Sequence, residues 1–248
     1  MAITKVTGAL LGNYTGGSAD DTVVVGDGAG DAITTGTDNT FIGDNAGTAN
    51  TTGDYNTVLG SAALVANTTG ARNTVLGYSA STAYTTGNRN VAVGYNAHGA
   101  GTTGNYNVSI GYGALDAATT ADNNTAVGYE AMGANTSGSE GTAVGQGALD
   151  ANTTGVRNTA VGSDSLTANT TGADNTALGK NSLEANTTAD NNTAVGKSAL
   201  AANTTGTRNT AVGGTALDAC TTGNYNTAVG YNSGGAVTTG ASNAFFGD

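Results

Sequence analysis

The 248-residue chain has 41 glycines, no proline, no tryptophan, 10% charged residues and a formal net charge of −11. Its seven basic residues are scattered singly, so it lacks the clustered Lys and Arg that nucleic acid or an anionic membrane surface would require. No stretch approaches the roughly 18 apolar residues of a membrane span, and the single cysteine, Cys220, cannot form an internal disulfide.

The segment 1–21 lies outside the repeat register that governs the rest of the chain. Its opening carries one positive charge, at Lys5, and lacks the sustained apolar core of a secretory signal, so no cleaved export signal is predicted. We predict two parts: an N-terminal attachment segment (1–21) and a repeat rod (22–248).

From there on, an aliphatic or aromatic residue followed by glycine recurs with a constant 17-residue period. Such constancy indicates that each repeat occupies one identical turn of a solenoid. The marker residues are Val25, Ile42, Leu59, Leu76, Val93, Ile110, Val127, Val144, Val161, Leu178, Val195, Val212, Val229 and Phe246.

Each repeat reads approximately Asn-Thr-Ala-Val-Gly-x-x-Ala-Leu-x-Ala-Asn-Thr-Thr-Gly-x-x, which lacks helical periodicity. Short β-compatible pieces bounded by Gly and Asn predict one strand at Thr-x-Val and a second at Leu-x-Ala-x-Thr. The predicted fold class is all-β: a parallel β-solenoid or β-roll of about fourteen 17-residue coils. With coils about 4.8 Å apart, the rod would be roughly 60 Å long.

Alternation along the strands predicts which columns of side chains point inward. We expect the aliphatic column of Val127 to face the interior and the column of Ala126 to face outward. On the second strand, Met132 and Ala134 are expected to point inward together.

The predicted outward column stays apolar or small from coil to coil, which is typical of an association surface. The interior of one coil also contains few large side chains, so the free energy gained by burying them offsets little of the conformational entropy lost on ordering the backbone of the coil. We therefore predict a homotrimer whose interface contains Val24, Phe41, Val58, Val75, Ala126 and Ala143.

The motif Asn-Thr-Ala-Val-Gly-x-x-Ala-Leu resembles the repeats in the heads of trimeric autotransporter adhesins, which form left-handed parallel β-rolls in trimers. It is more similar to the Asn-Thr-Ala-Val-Gly…Asn-Thr-Thr-Gly arrays of bacteriophage tail-fibre proteins, and the opening Met-Ala-Ile-Thr-Lys-Val-Thr adds weaker support. The resemblance covers residues 22–248 and implies a fibre segment in the virion tail, joined to other tail proteins through residues 1–21. The adhesin-head repeat is usually shorter than the repeat of this chain, so the cross-section here would differ.

No residue constellation supports catalysis, a metal or a cofactor. His98, the only histidine, has no partner implied by the sequence and is interpreted as a variant core position. Asp27 and Asp44 align one coil apart, with Asp248 in the same column, but a solvated turn is favoured over a cation site.

One column carries tyrosine in four successive coils, and these rings could stack on sugar rings of a host glycan or only on one another. The candidate ligand-binding residues are Tyr78, Tyr95, Tyr112 and Tyr129. Another turn column mixes Arg and Tyr, for example Arg72 and Tyr55, and is interpreted as a variable solvated rim.

The leading hypothesis is a structural, host-recognising fibre segment of a phage tail. One alternative is a bacterial surface adhesin head, located at the cell surface. The other is a monomeric ice-binding solenoid; here the adjacent Thr153 and Thr154 would point to opposite faces, whereas a flat ice-binding face needs both on one side.

Overall fold

A computed structural model describes residues 21–247 of the chain; the predicted attachment segment (1–21) lies outside these residues except for its last position. Fourteen three-residue strands form one parallel sheet in which each strand pairs with the strands before and after it in sequence. The strands are β1 Val23–Val25, β2 Thr40–Ile42, β3 Thr57–Leu59, β4 Thr74–Leu76, β5 Val91–Val93, β6 Val108–Ile110, β7 Thr125–Val127, β8 Thr142–Val144, β9 Thr159–Val161, β10 Thr176–Leu178, β11 Thr193–Val195, β12 Thr210–Val212, β13 Thr227–Val229 and β14 Ala244–Phe246.

The strands stack in strict register, so equivalent positions of successive repeats lie side by side. Thr125, Ala126 and Val127 of β7, for example, pair with Thr142, Ala143 and Val144 of β8. The predicted β-solenoid of 17-residue coils is therefore confirmed.

The prediction of which strand face points inward was wrong. The middle residue of the strand is the buried one: Ala126, Ala143 and Phe41 have no exposed surface. Val127 is only partly buried and Leu59 is 50% exposed, so the marker column faces outward. The reason is space, because the interior beside the strands is already occupied by the leucine column and leaves room for alanine in most coils.

The predicted second strand does not form. Its residues lie in a turn segment where left-handed and right-handed backbone alternate, with φ of +51° at Glu130 and +54° at Met132. The amides of this segment still bond to neighbouring coils: Met132 N–H donates to the Ala148 carbonyl at 2.9 Å. Met132 is buried as predicted, whereas Ala134 is only partly buried and Ala131 takes the inward position.

Two buried columns of asparagine connect the coils from inside. The Nδ2 groups of Asn56 and Asn67 both donate to the Gly70 carbonyl, at 2.9 and 3.0 Å. Along the column, Asn56 N–H donates to Asn39 Oδ1 at 2.9 Å. Because buried amides need partners, these ladders fix the spacing of successive coils.

Candidate functional site

The outer sheet face consists of the first and third residues of every strand. Alternation places both on the solvent side, and none of them is fully buried. In the third position Leu59 is 50% exposed, Ile110 38% and Val144 37%, so an aliphatic column is open to solvent along the sheet. An exposed apolar column therefore exists, but it lies on the strand face opposite to the one predicted from the sequence.

The predicted oligomer interface therefore requires correction. Val58, Val75 and Phe41 lie in the core of the single chain, at 0 to 1% exposure, and Val24 packs against that core. Ala126 and Ala143 are likewise fully buried. These six side chains contribute to the interior of one chain and are not available to a partner.

The tyrosine column forms a continuous stack on the surface. Ring centroids are 5.7 Å apart between Tyr78 and Tyr95, and 5.2 Å apart between Tyr95 and Tyr112 and between Tyr112 and Tyr129. The interplanar angles lie between 9° and 19°, so the rings turn their faces toward one another. The structure thus brings the four predicted tyrosines together, and each of them keeps about half of its surface exposed, between 49% and 57%.

The rim column pairs its Arg and Tyr residues between neighbouring coils. The Arg72 guanidinium lies 5.3 Å from the centre of the Tyr55 ring, and the Arg208 guanidinium lies at the same distance from Tyr225. Such cation–π contacts at exposed sites contribute modestly to stability.

An ion pair occupies the same column further along. Arg157 Nε lies 2.7 Å from Asp174 Oδ1, and the arginine lowers the pKa of that carboxyl group. Because both side chains are largely exposed, the pair contributes little to the free energy of unfolding.

A shallow groove of about 380 Å³ opens beside Tyr112 and is lined by Asp116, Glu130 and Asp150. Burial raises the pKa of Asp116, and burial together with the negative charge of Glu130 raises the pKa of Asp150. Among residues 21–247, no three His, Cys, Asp or Glu side chains are arranged to hold a metal ion.

His98 lies in the core with no exposed surface, next to Tyr84, whose ring contacts it edge-on at 4.8 Å. Burial lowers the pKa of His98 to about 4 and raises the pKa of Tyr84. The Tyr84 hydroxyl donates to the Gly104 carbonyl at 2.9 Å. A neutral imidazole closed off from solvent has no access to a substrate.

The threonine and aspartate candidates also have structural partners. Thr153 Oγ1 donates to the Thr170 carbonyl at 3.0 Å, so the hydroxyl is engaged in a bond to the next coil. Thr154 is exposed, as expected for the neighbouring position. Asp27 N–H donates to Asp44 Oδ1 at 3.3 Å, which links the two aspartates across one coil; Asp248 lies outside the described residues.

Comparisons of this chain with family models, with curated proteins and with solved structures return no match. Residues 21–247 contain no helix of the length and hydropathy that would cross a membrane.

Proposed function

We propose that this chain is a structural and host-recognising segment of a phage tail fibre, a homotrimeric rod that holds its two ends apart and presents repeated side chains. The observation that carries the proposal is the unbroken stack of fourteen in-register strands. A stack with coils about 4.8 Å apart gives a rod roughly 60 Å long, a geometry suited to a spacer.

Repetition also supports the recognition role. The Tyr78–Tyr129 stack presents the same side chain in four successive coils, and the rim column presents Arg–Tyr pairs at more than one place along the rod. Contacts that are individually weak gain strength when several engage the same receptor, because the second contact forms at high effective concentration. A host surface glycan, itself a repeating polymer, is the receptor class proposed for these columns.

In the assembled fibre, residues 1–21 join the rod to other tail proteins. The resemblance of the repeats to tail-fibre arrays supports this placement in the virion, outside the cell. No catalytic role is part of this proposal.

Electron microscopy with an antibody against the rod tests the assignment. We expect rods roughly 60 Å long, and we expect the antibody to label the tails of phage particles from the source culture. Labelling of the bacterial surface in cells free of phage would overturn the tail-fibre proposal in favour of an adhesin head.

A panel of bacterial surface polysaccharides tests recognition. We expect a variant in which Tyr78, Tyr95, Tyr112 and Tyr129 are all changed to Ser, which removes the whole stack, to lower binding several-fold. The matched control is Tyr231→Ser, in the same column but outside the stack. Equal binding by both variants would contradict a role for the stack.

A further inference from the structure

The outer sheet face carries no charged side chain on any of its fourteen strands. The strand sequences range from Val-Val-Val in β1 through repeated Thr-Ala-Val to Ala-Phe-Phe in β14. The chain as a whole has 25 charged residues, 7 basic and 18 acidic, and all of them lie elsewhere. The first position of the strand is threonine in ten of the fourteen strands, and the third position is aliphatic in thirteen strands and Phe246 in the last. A sheet face that stays in water normally carries charged residues, so an uncharged face with a continuous exposed apolar column indicates that another surface covers it.

The dimensions of this face match those of a protein interface. Fourteen strands about 4.8 Å apart give a length of roughly 60 Å, and three residues of extended chain give a width of about 10 Å. The resulting area, on the order of 600 Å² per copy, approaches the roughly 800 Å² that each partner buries in a standard stable interface. The face is therefore large enough to hold two chains together along their whole length.

The period of the face restricts what can cover it. A partner that contacts every coil equally must repeat at the rise of the solenoid, and a second copy of this chain does so by construction. Although the chain has a net charge of −11, the face itself carries no charged side chain, so association through it brings no like charges into direct contact. We infer that the outer sheet face is the surface through which copies of this chain associate side by side, in parallel and with equivalent coils at the same height.

The parallel orientation rests on the proposed function, because a fibre attached at one end needs all its chains to point the same way. The choice of surface does not depend on that function. The two parts are therefore tested separately.

The first experiment places charge on the face. Val144→Lys, Val161→Lys and Val195→Lys are combined in one variant, and mass is measured by light scattering after size exclusion. We expect wild type to be oligomeric and the variant to fall to the monomer mass of 23.8 kDa with an unchanged circular dichroism spectrum.

The matched control combines Gln146→Lys and Ser163→Lys, two positions beyond the strand, in a column that already holds Lys180 and Lys197. We expect the control to keep the mass of wild type. An oligomer that survives the three valine changes would overturn the inferred surface while leaving the fibre proposal standing.

Disulfide crosslinking tests orientation, in a Cys220→Asn background that removes the native thiol. Leu59→Cys in β3 and Val212→Cys in β12 occupy the outer face at equal distances from the two ends of the sheet. In parallel association each variant crosslinks to itself on oxidation. Crosslinking only in a mixture of the two variants would show an antiparallel arrangement and overturn the inference.

Ice is the other partner with a regular surface. A monomeric wild type that shows thermal hysteresis in solution would overturn both the inferred interface and the homotrimeric fibre. A monomeric wild type without hysteresis would also overturn the inferred interface.

Discussion

The coils of β1–β4 and those of β7–β13 share one backbone but fill it with different side chains. In the first group the inward strand position holds valine or Phe41, and in the second it holds alanine throughout. Around Phe41 the positions usually held by leucine are glycines: a Cβ at Gly47 would lie 2.8 Å from the ring, and one at Gly30 3.0 Å from it. In the later coils the sizes are reversed: the strand column holds a small alanine such as Ala126, and the turn column holds a large residue, Met132 or leucine.

This difference shows that each coil encloses a nearly constant interior volume, which the sequence divides among two columns. Phe245 repeats the pattern at the other end of the sheet, where a Cβ at Gly234 would lie 2.8 Å from its ring. Between the two groups the core contains the polar pair Tyr84 and His98. The buried apolar residues form two separate clusters, the first of which includes Tyr84, whereas the second begins at Ala114.

The largest effect on stability is expected when Phe41 is truncated without enlarging the neighbouring glycines. Phe41→Ala leaves a cavity beside two glycines and should lower the free energy of unfolding by about 3–5 kcal/mol. The double variant Phe41→Ala/Gly47→Leu has alanine in the strand column and leucine in the turn column, as the later coils do. It should recover most of the lost stability, because Leu64 already occupies this turn column with a φ of +54°. Urea denaturation followed by circular dichroism measures both.

Thr40→Ala, on the outer face of the same strand, is the control and should change stability little. A double variant no more stable than Phe41→Ala would show that the two columns do not share one volume.

The sequence was sufficient to predict the strand position, the coil length and the in-register stack, since a 17-residue period admits one arrangement of like residues. It also placed the four tyrosines in one column, which the structure shows as a stack. It did not determine the inward face, because Ala126 and Val127 are both apolar and alternation alone has no preference between them. The glycines at 30 and 47 held the missing signal, since their absence of side chains makes room for Phe41.

The turn segment was out of reach for a different reason. Left-handed backbone is uncommon for residues such as Met132 and Leu149, so propensity favours a second strand there. The structure accepts the strained angles because amides such as Met132 N–H bond to the next coil. Because the prediction assigned the wrong strand face to the interior, it also missed that the aliphatic column is exposed.

An effect of intermediate size is expected at the polar pair that separates the two groups of coils. His98 has a pKa of about 4 in the folded chain against 6.5 when unfolded, so only the unfolded chain takes up a proton between these values. Its contribution to stability is therefore complete above about pH 6.5 and is lost as pH falls toward 4. The loss amounts to about 3 kcal/mol at most.

Tyr84→Asn/His98→Leu/Gly101→Asn gives these two successive coils the residues found at the same positions in most other coils. We expect the variant to lose less stability than wild type between pH 7 and pH 4 in urea titrations at each pH. Parallel pH profiles would contradict a neutral buried histidine, since the two proteins share all other groups that titrate between pH 4 and pH 7.

The smallest effect is expected in the asparagine column that contains Asn67 and Asn203, which is interrupted from Tyr84 to Ala118 and again from Cys220 onward. Tyr84 interrupts it above Asn67 and Cys220 interrupts it above Asn203, and in both cases the buried Oδ1 of the asparagine has no hydrogen-bond partner. Cys220 Sγ lies 3.8 Å from the Gly223 carbonyl, a position from which an amide could reach both that carbonyl and Asn203. In the intact part of the ladder, Asn203 Nδ2 makes these two bonds at 2.9 and 3.0 Å.

Cys220→Asn should therefore raise the free energy of unfolding by about 1 kcal/mol, the net contribution of one satisfied buried hydrogen bond. Cys220→Ala is the matched control, because it removes the thiol without supplying an amide and should be no more stable than wild type. Urea denaturation of the three proteins under reducing conditions measures the difference. If the asparagine and alanine variants are equally stable, the ladder fixes the register of the coils without adding to their stability, because its amides exchange equivalent bonds with water on unfolding.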